Sequence, residues 1–247
     1  MWCQVRPQSK HSHLAVRLVA SRSRQAAFER LGLAHGRQRV SLTPASGRGK
    51  DSQSSPTAPG KYPRTPHLPF SPGVAVDDLQ CSAADTQVFQ GSQVVITEKL
   101  DGGNCCIHAG KVFARTHSAE ATHASFAPVK ALAAAWWEVE PQLALFGENM
   151  TAVHSIKYDA LRSNFYLFGV LDCQTQEWFS WDDVEATAAS LLIPTAPVLY
   201  FGTFASSMSI QKWMEAAIRL PSSVGEHAPR EGFVIRTSAG MQKGVHR

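Results

Sequence analysis

Several features that mark other classes of protein are missing from these 247 residues. No apolar run approaches the roughly 18 residues that a membrane-spanning helix needs, so no membrane partner is expected. The five cysteines contain no Cys-x-x-Cys pair, which argues against a zinc site, and their odd number indicates no disulfide framework. A reducing compartment is therefore expected. Gly102-Gly103 lacks the rest of a Walker-type phosphate loop, and no internal repeat is visible.

Acidic residues are scarce in the first 60 residues, which carry ten Lys or Arg and only two acids, Glu29 and Asp51. This segment has a net charge of +8, whereas the rest of the chain has a net charge of −4. The overall charge of +4 therefore gives no argument for nucleic-acid binding by the folded part.

We predict that residues 1–60 form a disordered basic extension. An Arg- and Ser-rich, acid-poor composition is also typical of an organelle transit peptide, which would direct the protein to a mitochondrion or chloroplast. Without that role, a cytoplasmic location is expected, and translated sequence upstream of the true start is a further interpretation. Residues 41–60 are rich in Ser, Pro and Gly and indicate a linker, so the folded domain is predicted to span residues 61–247.

The pattern of apolar residues predicts more strands than helices in that domain. The fold class is therefore α+β, with antiparallel sheets flanked by helices. Trp136-Trp137 is predicted to pack in the core and at its rim, with a nucleic-acid contact as the alternative. Strands are predicted at 93–98, 104–108, 111–116, 143–148, 165–171, 198–201 and 232–237, and helices at 128–139, 182–192 and 209–220.

Lys99 carries the chemical hypothesis. It follows the apolar run Val94-Val95-Ile96 and precedes the turn residues Asp101-Gly102. A lysine held at the rim of a pocket becomes a usable nucleophile where burial or neighbouring cations favour its neutral amine. Alone, the pattern Lys-x-Asp-Gly is weak, and a lysine that caps an exposed turn is the alternative interpretation.

Further segments follow Lys99-Leu100-Asp101-Gly102 in a defined order. They are Ala114-Arg115-Thr116, Leu145-Phe146-Gly147-Glu148-Asn149-Met150, Phe165-Tyr166-Leu167-Phe168-Gly169 and Arg230-Glu231-Gly232-Phe233-Val234-Ile235-Arg236. The ordered set resembles the covalent nucleotidyltransferase superfamily of RNA ligases, DNA ligases and capping enzymes. Lys-Leu-Asp-Gly-Gly-Asn is most similar to the ATP-dependent RNA ligase branch, as are residues 61–69 and 154–159. The resemblance covers residues 61–236.

This resemblance implies an adenylation domain that uses ATP and Mg²⁺ (or Mn²⁺) and acts on RNA ends. Lys99 would be the catalytic nucleophile that takes AMP, and Glu231 would act around the metal and the lysine. Glu148 would contact the ribose, and Phe168 would stack on the purine. The full set of implied ATP contacts is Glu98, Asp101, Asn104, Arg115, Glu148, Phe168 and Lys243.

Each of these roles has a plainer alternative. Arg115 is otherwise a solvated hairpin residue, Glu231 an exposed loop acid, and Phe168 a core residue of its strand. His154 and Asp159 tempt a metal or acid–base reading, but a lone His-x-x-x-x-Asp is poor evidence, so we predict loop or surface roles.

The segment after residue 236 departs from the family pattern. The family carries a final motif with a lysine and a second cation that contact the α-phosphate, and Lys243 and Arg247 match its spacing poorly. Phe168-Gly169 also departs from the aromatic–acid pair common at that point. The resemblance therefore leads us to expect a chain that is truncated or alternatively ended and has little activity.

Three functions are compatible with the sequence. The first is an ATP-dependent RNA ligase that joins RNA 5′-phosphate and 3′-hydroxyl ends through lysyl-AMP. The second is a weak or inactive nucleotide- or RNA-binding remnant of that family. The third is GTP-dependent guanylyl transfer of the capping type.

Overall fold

Two antiparallel β-sheets organise the residues that the computed structural model describes, which are 2–5, 59–116, 119–136 and 141–242. The helices are α1 (Ala127–Ala135), α2 (Trp181–Ser190) and α3 (Ser207–Ala217). The strands are β1 (Trp2–Val5), β2 (Gln93–Lys99), β3 (Gly103–His108), β4 (Lys111–Ala114), β5 (Leu143–Asn149), β6 (Phe165–Asp172), β7 (Glu177–Trp178), β8 (Val198–Thr203), β9 (Gly232–Thr237) and β10 (Met241–Gln242).

One sheet has the order β1-β9-β2-β8, and the other has the order β10-β7-β6-β5-β3-β4. Every pair of neighbouring strands in both sheets is antiparallel. The predicted α+β class with antiparallel sheets and flanking helices is therefore confirmed.

Strand β2 is the structural centre because both of its faces are buried. Val94 and Ile96 pack in a core with β1, β9 and α3. Val95 points the other way, into the core that β3, β5 and β6 share with α1 and α2. A strand that is covered on both sides reads as a continuous apolar run, which explains Val94-Val95-Ile96. The lysine that ends this strand is therefore held on a rigid element.

Helices α2 and α3 are each capped at the N-terminus by a serine side chain. The Ser180 side chain accepts a hydrogen bond from the Asp183 amide at the start of α2, and two acids occupy the first turn. Ser206 and Ser209 form a reciprocal cap on α3, which begins two residues earlier than predicted. None of the helices in the described ranges is long and apolar enough to cross a bilayer.

Strand β1 was not expected. Residues 2–5 lie in the segment predicted to be disordered, yet they pair with β9, from Trp2 opposite Arg236 to Val5 opposite Phe233. The prediction of disorder is wrong for these four residues because their order comes from a distant strand, which no local pattern shows. The remainder of residues 1–58, Trp137 and the end of the predicted 128–139 helix lie outside the described residues.

The cysteines in the described ranges are free. Cys105 and Cys106 point to opposite faces of β3 and pack in different cores, as their adjacency requires. Cys3 on β1 lies against Cys81, with their buried Sγ atoms 2.8 Å apart. The hydrogen bond between them, followed by burial, raises the pKa of the Cys3 thiol.

Candidate active site

A cavity of about 720 Å³ is lined by residues from both sheets. It gathers eight residues that the sequence singled out, from five separate segments of the chain. They are Glu98, Lys99, Asp101, Asn104, Arg115, Glu148, Phe168 and Glu231. Lys243 lies outside the described residues, so its role stays a prediction.

Lys99 and Glu231 meet at the ends of two paired strands. Lys99 is the last residue of β2 and lies opposite Gly232, the first residue of β9, so that Glu231 comes directly before the pair. The Lys99 Nζ donates to Glu231 Oε1. Both side chains are largely buried, with 19% and 14% exposed. The ammonium and its carboxylate partner are therefore held together at the wall of the cavity.

Glu98 lies on the opposite face of β2 from Lys99 because successive side chains of a strand alternate. The Ser223 amide donates to its Oε2 over 2.8 Å, and the Arg230 Nε lies 3.7 Å from the same atom. The other oxygen, Oε1, is buried with no hydrogen-bond partner among the described residues. The Glu98 carboxylate is thus held by protein groups, and its nucleotide contact stays a prediction.

Asp101 fastens the turn after Lys99 to a distant loop. Its Oδ2 accepts hydrogen bonds from the Ser155 amide, the Ser155 hydroxyl and the Ile156 amide, at 2.7, 2.6 and 2.8 Å. Burial opposes ionisation, but these bonds hold the pKa of Asp101 below its usual value. A β-carbon on Gly102 would lie only 2.6 Å from the Asn149 carbonyl oxygen, so this turn requires glycine.

Glu148 and Asn104 lie opposite each other on β5 and β3. Burial, reinforced by neighbouring Glu231, raises the pKa of Glu148 to about 8 against the opposing attraction of Lys99. Burial therefore favours the protonated form of this carboxyl near neutral pH. The Asn104 Oδ1 atom is buried without a hydrogen-bond partner among the described residues. Both groups can contact polar atoms brought into the cavity.

Phe168 reaches the cavity through a β-bulge. Phe146 pairs with Gly169, but the next residue, Gly147, pairs with Leu167, so Phe168 is the extra residue on β6. A bulge re-aims the side chain of the inserted residue. It also leaves the Phe168 carbonyl outside the ladder, where it accepts a 2.9 Å hydrogen bond from Arg236 Nη1.

The wall around Phe168 is aromatic and cationic. The Tyr62 ring packs edge-on against Phe168, with ring centroids 4.9 Å apart. The Arg236 guanidinium lies 4.6 Å from the centroid of the Trp181 ring. Burial lowers the pKa of Arg236 to about 10, so this buried side chain stays charged at neutral pH. This end of the cavity suits a flat, polarisable ring.

The sequence analysis missed several residues on the cavity wall. Val234 and Arg236 share a face of β9 with Gly232, and strict alternation with Phe233 and Ile235 could have revealed them. His154, set aside as a loop residue, also lines the cavity. Asp159 was correctly placed in a loop, where its Oδ1 accepts from the Glu226 amide over 2.8 Å. Tyr62 and Arg64 belong to residues 61–69, which the resemblance covers without giving either residue a role, and Trp181 carried no periodic signal.

Arg115 lies at the mouth of the cavity and is exposed, at the end of the β3–β4 hairpin. It makes no hydrogen bond or ion pair within the described part of the chain. An exposed guanidinium at the rim can contact an anion that enters the cavity, because five donors are available on its planar head.

The RNA ligase family model matches residues 92–247, which is more than half of the chain. The chain belongs to the RNA ligase family. The matched region contains the cavity residues from β2 to β9, while the wall formed by residues 59–81 precedes it. A comparison with curated proteins found no match.

Solved structures of a Naegleria gruberi RNA ligase are similar to this chain. A variant with AMP and Mn has 18% sequence identity and a TM-score of 0.50, over 65% of this chain and 51% of that one. A variant with ATP and Mn has 19% identity and a TM-score of 0.48, and an apo variant has 18% and 0.49, each over 63% and 49%. The described fold thus spans about half the length of these ligases.

Proposed function

We propose that this protein is an ATP-dependent RNA ligase that acts through a covalent lysyl-AMP intermediate. One observation carries the proposal: Lys99 is bonded to Glu231 in a cavity that also gathers the other described residues of the ordered motif set. A lysine that merely caps an exposed turn would be exposed, whereas this one is 19% exposed. The RNA ligase family match supports the same chemistry.

In the first step, Lys99 Nζ attacks the α-phosphorus of ATP. The N–P bond forms, the bond from the α-phosphorus to pyrophosphate breaks, and pyrophosphate leaves. Glu231 accepts a hydrogen bond from Nζ and is placed to take the proton that the amine loses. The AMP group then passes to an RNA 5′-phosphate, and attack by a 3′-hydroxyl on that activated phosphate releases AMP.

The cavity orients the nucleotide along its length. Phe168 would stack on the adenine beside Tyr62 and Trp181, and stacking on an aromatic ring is worth about 1–3 kcal/mol. Glu148 and Asn104, one row closer to Lys99, would hold the ribose. Arg115 at the mouth would contact phosphate. Held in this way, the α-phosphorus meets the amine without a search for geometry.

A divalent cation fits the charge of this cavity. Within the described ranges, no three His, Cys, Asp or Glu side chains converge to hold a metal by themselves. Mg²⁺ usually binds through one or two carboxylates together with substrate phosphates, and Glu148 and Glu231 are the residues placed to supply them. Burial, followed by the neighbouring Glu231 carboxylate, raises the pKa of Glu148, and a cation bound beside the two carboxyl groups would favour their ionised forms. When bound, the cation would neutralise charge that develops on the phosphates. An N. gruberi RNA ligase has been solved with AMP and Mn, which supports use of a divalent cation by a protein of this fold.

A labelling assay tests the proposal. Incubation with α-labelled ATP and Mg²⁺, followed by denaturation, should leave an acid-labile label on the wild-type protein and none on Lys99→Ala. Lys157→Ala, an exposed lysine outside the cavity, is the matched control and should keep the label. Label on the Lys99→Ala protein would remove the assignment. Label from GTP instead would favour guanylyl transfer, and binding without label would favour the inactive remnant.

Residues 1–58 contribute strand β1 to the fold, and we propose that this segment also directs the protein to an organelle. Apart from β1 they lie outside the described residues, and their basic, acid-poor composition supports import into a mitochondrion or chloroplast. A fluorescent fusion of residues 1–60 that stays in the cytosol would contradict it.

A further inference from the structure

The loop that follows β5 is tied to the turn that follows Lys99. Asp101 accepts three hydrogen bonds from Ser155 and Ile156, and the Asp101 amide donates to the Tyr158 hydroxyl over 2.9 Å. His154 directly precedes the bonded residues, so its backbone is held in register with the nucleophile. These hydrogen bonds offset the conformational entropy that the loop loses when it is ordered, so the backbone that carries His154 keeps a defined position.

His154 lies at the end of the cavity remote from Phe168. Its Nε2 atom is 4.0 Å from the position that a β-carbon would take on Gly103, the first residue of β3. The Phe168 bulge aligns instead with Cys106, through Phe146. Gly103 and Cys106 are three residue steps apart on the strand, a distance of about 10 Å. A nucleotide whose base lies on Phe168 and whose α-phosphate meets Lys99 would therefore direct its outer phosphates towards His154.

This end of the cavity has few donors to offer an anion. Asp101, Glu148 and Glu231 place three carboxyl groups there, and Lys99 is bonded to one of them. Arg64 and Arg236 also line the cavity, but they donate to the carbonyl oxygens of Asp77 and Phe168. Within the described part of the chain, neither ring nitrogen of His154 has a hydrogen-bond partner. An imidazole N–H directed into the cavity is a suitable donor to a phosphate oxygen.

We infer that His154 binds the β- or γ-phosphate of the nucleotide, the part that leaves as pyrophosphate. The inference rests on the proposed function, since it assumes that the cavity holds ATP with its base on Phe168. It assigns to His154 a contact with ATP that AMP cannot make. The residue would then contribute to binding of ATP and pyrophosphate and contribute nothing to binding of AMP.

The test measures the equilibrium affinities for ATP and for AMP in the presence of Mg²⁺. The full chain carries Lys99→Met, so that no AMP can be transferred to the protein during the measurement. Adding His154→Ala should weaken ATP about tenfold and leave AMP unchanged, which is the effect of losing one charge-assisted hydrogen bond. His154→Gln, which keeps an N–H donor, should recover part of the ATP affinity. Lys157→Ala removes a cation from the same loop outside the cavity and should change neither affinity.

Equal weakening of ATP and AMP would show that His154 only shapes the loop, and no change in either would place it outside the site; both results overturn the inference. An unchanged ATP-to-AMP ratio together with poor transfer of AMP to RNA by the Lys99-bearing His154→Ala protein would assign the residue to RNA and overturn it as well. Failure of the wild-type protein to take label would count against the lysyl-AMP step alone, because this contact is read from binding.

Discussion

Strand β2 ends in two adjacent charged residues that point to opposite faces of the four-stranded sheet, and each pairs with one of two adjacent charged residues in front of β9. On the cavity face, Lys99 bonds Glu231, and the two side chains are 19% and 14% exposed. On the core face, Glu98 faces Arg230 with the signs reversed, at 0% and 8%. An ion pair between a basic residue and a glutamate therefore occurs twice, in two different environments, at adjacent positions of the same two segments.

The difference lies in what surrounds each pair. Arg230 also donates to the Ala217 carbonyl at the end of α3, and Glu98 accepts from the Ser223 amide, so the inner pair joins the sheet to its covering helix and loop. The outer pair has protein on one side and the cavity on the other. Breaking a fully enclosed ion pair destabilises the fold, because one charge is left buried without a partner. In an ion pair at a cavity wall, either side chain can leave its partner and contact a ligand instead. We therefore expect the cavity face to govern activity and the core face to govern stability.

The largest effect expected is on the cavity face. Lys99→Ala should abolish adenylylation, because no other amine in the described cavity occupies its position. The free energy of unfolding should change by less than it does when the core pair is broken, because Glu231 faces the cavity and is not fully enclosed. Labelling and urea unfolding of the same preparation check both halves of the statement, and a collapse of stability would show that both faces are structural.

Arg230→Met should produce the opposite result. It leaves the Glu98 carboxylate buried without its cation, and breaking a buried pair typically costs about 3–5 kcal/mol. Labelling per folded molecule at low temperature should persist. Arg219→Met, an exposed arginine just after α3, is the matched control and should unfold like the wild type. Addition of Glu98→Gln to Arg230→Met should recover part of the loss, and a double variant no better than the single would argue against a charge effect.

Phe168→Leu should reduce ATP affinity by about 1–3 kcal/mol through loss of stacking on the base. Phe113→Leu changes an equivalent, partly buried ring that packs in the same aromatic cluster but does not line the cavity. The two variants should lose similar stability, and only Phe168→Leu should bind ATP more weakly. If calorimetry shows equal ATP affinity for both, then Phe168 is a core residue that the cavity happens to reach.

Glu148→Gln should have an effect on stability that depends on pH. Burial raises the pKa of Glu148 from 4.5 to about 8, so the folded state holds a proton that the unfolded state has lost in this range. The wild type should therefore lose stability relative to the variant as pH rises from about 4.5 to about 8, and the gap should then stay constant. Melting temperatures at pH 5, 7 and 9 without metal measure this gap. A wild-type protein that instead gains stability relative to the variant as pH rises would contradict the burial of this carboxyl.

Local sequence patterns were sufficient to predict many of the strands, turns and helices of this molecule. Val94-Val95-Ile96 predicted a strand, Asp101-Gly102-Gly103 predicted a tight turn after it, and Ser180 and Ser206 precede helices that they cap. These features depend on neighbours in sequence, since propensity, capping and turn chemistry act over a few residues. The ordered motifs also named the residues that line the cavity on both sheets, although the roles of those residues stay predictions.

Tertiary structure decided what depends on distant partners. Alternation of side chains along β6 would assign Phe168 a face by counting from Phe165. The β-bulge opposite Phe146 and Gly147 changes that count and brings Phe168 to the cavity wall. Alternation along β2 puts the Glu98 and Lys99 side chains on opposite faces, but only the tertiary structure gives Glu98 its contact with Ser223 and Lys99 its contact with Glu231. Strand β1 forms because β9 supplies its hydrogen-bond partners from far along the chain. The loop that carries His154 is likewise positioned by hydrogen bonds to the distant Asp101. Register and long-range hydrogen bonds are properties of two segments at once, so no pattern within one segment contains them.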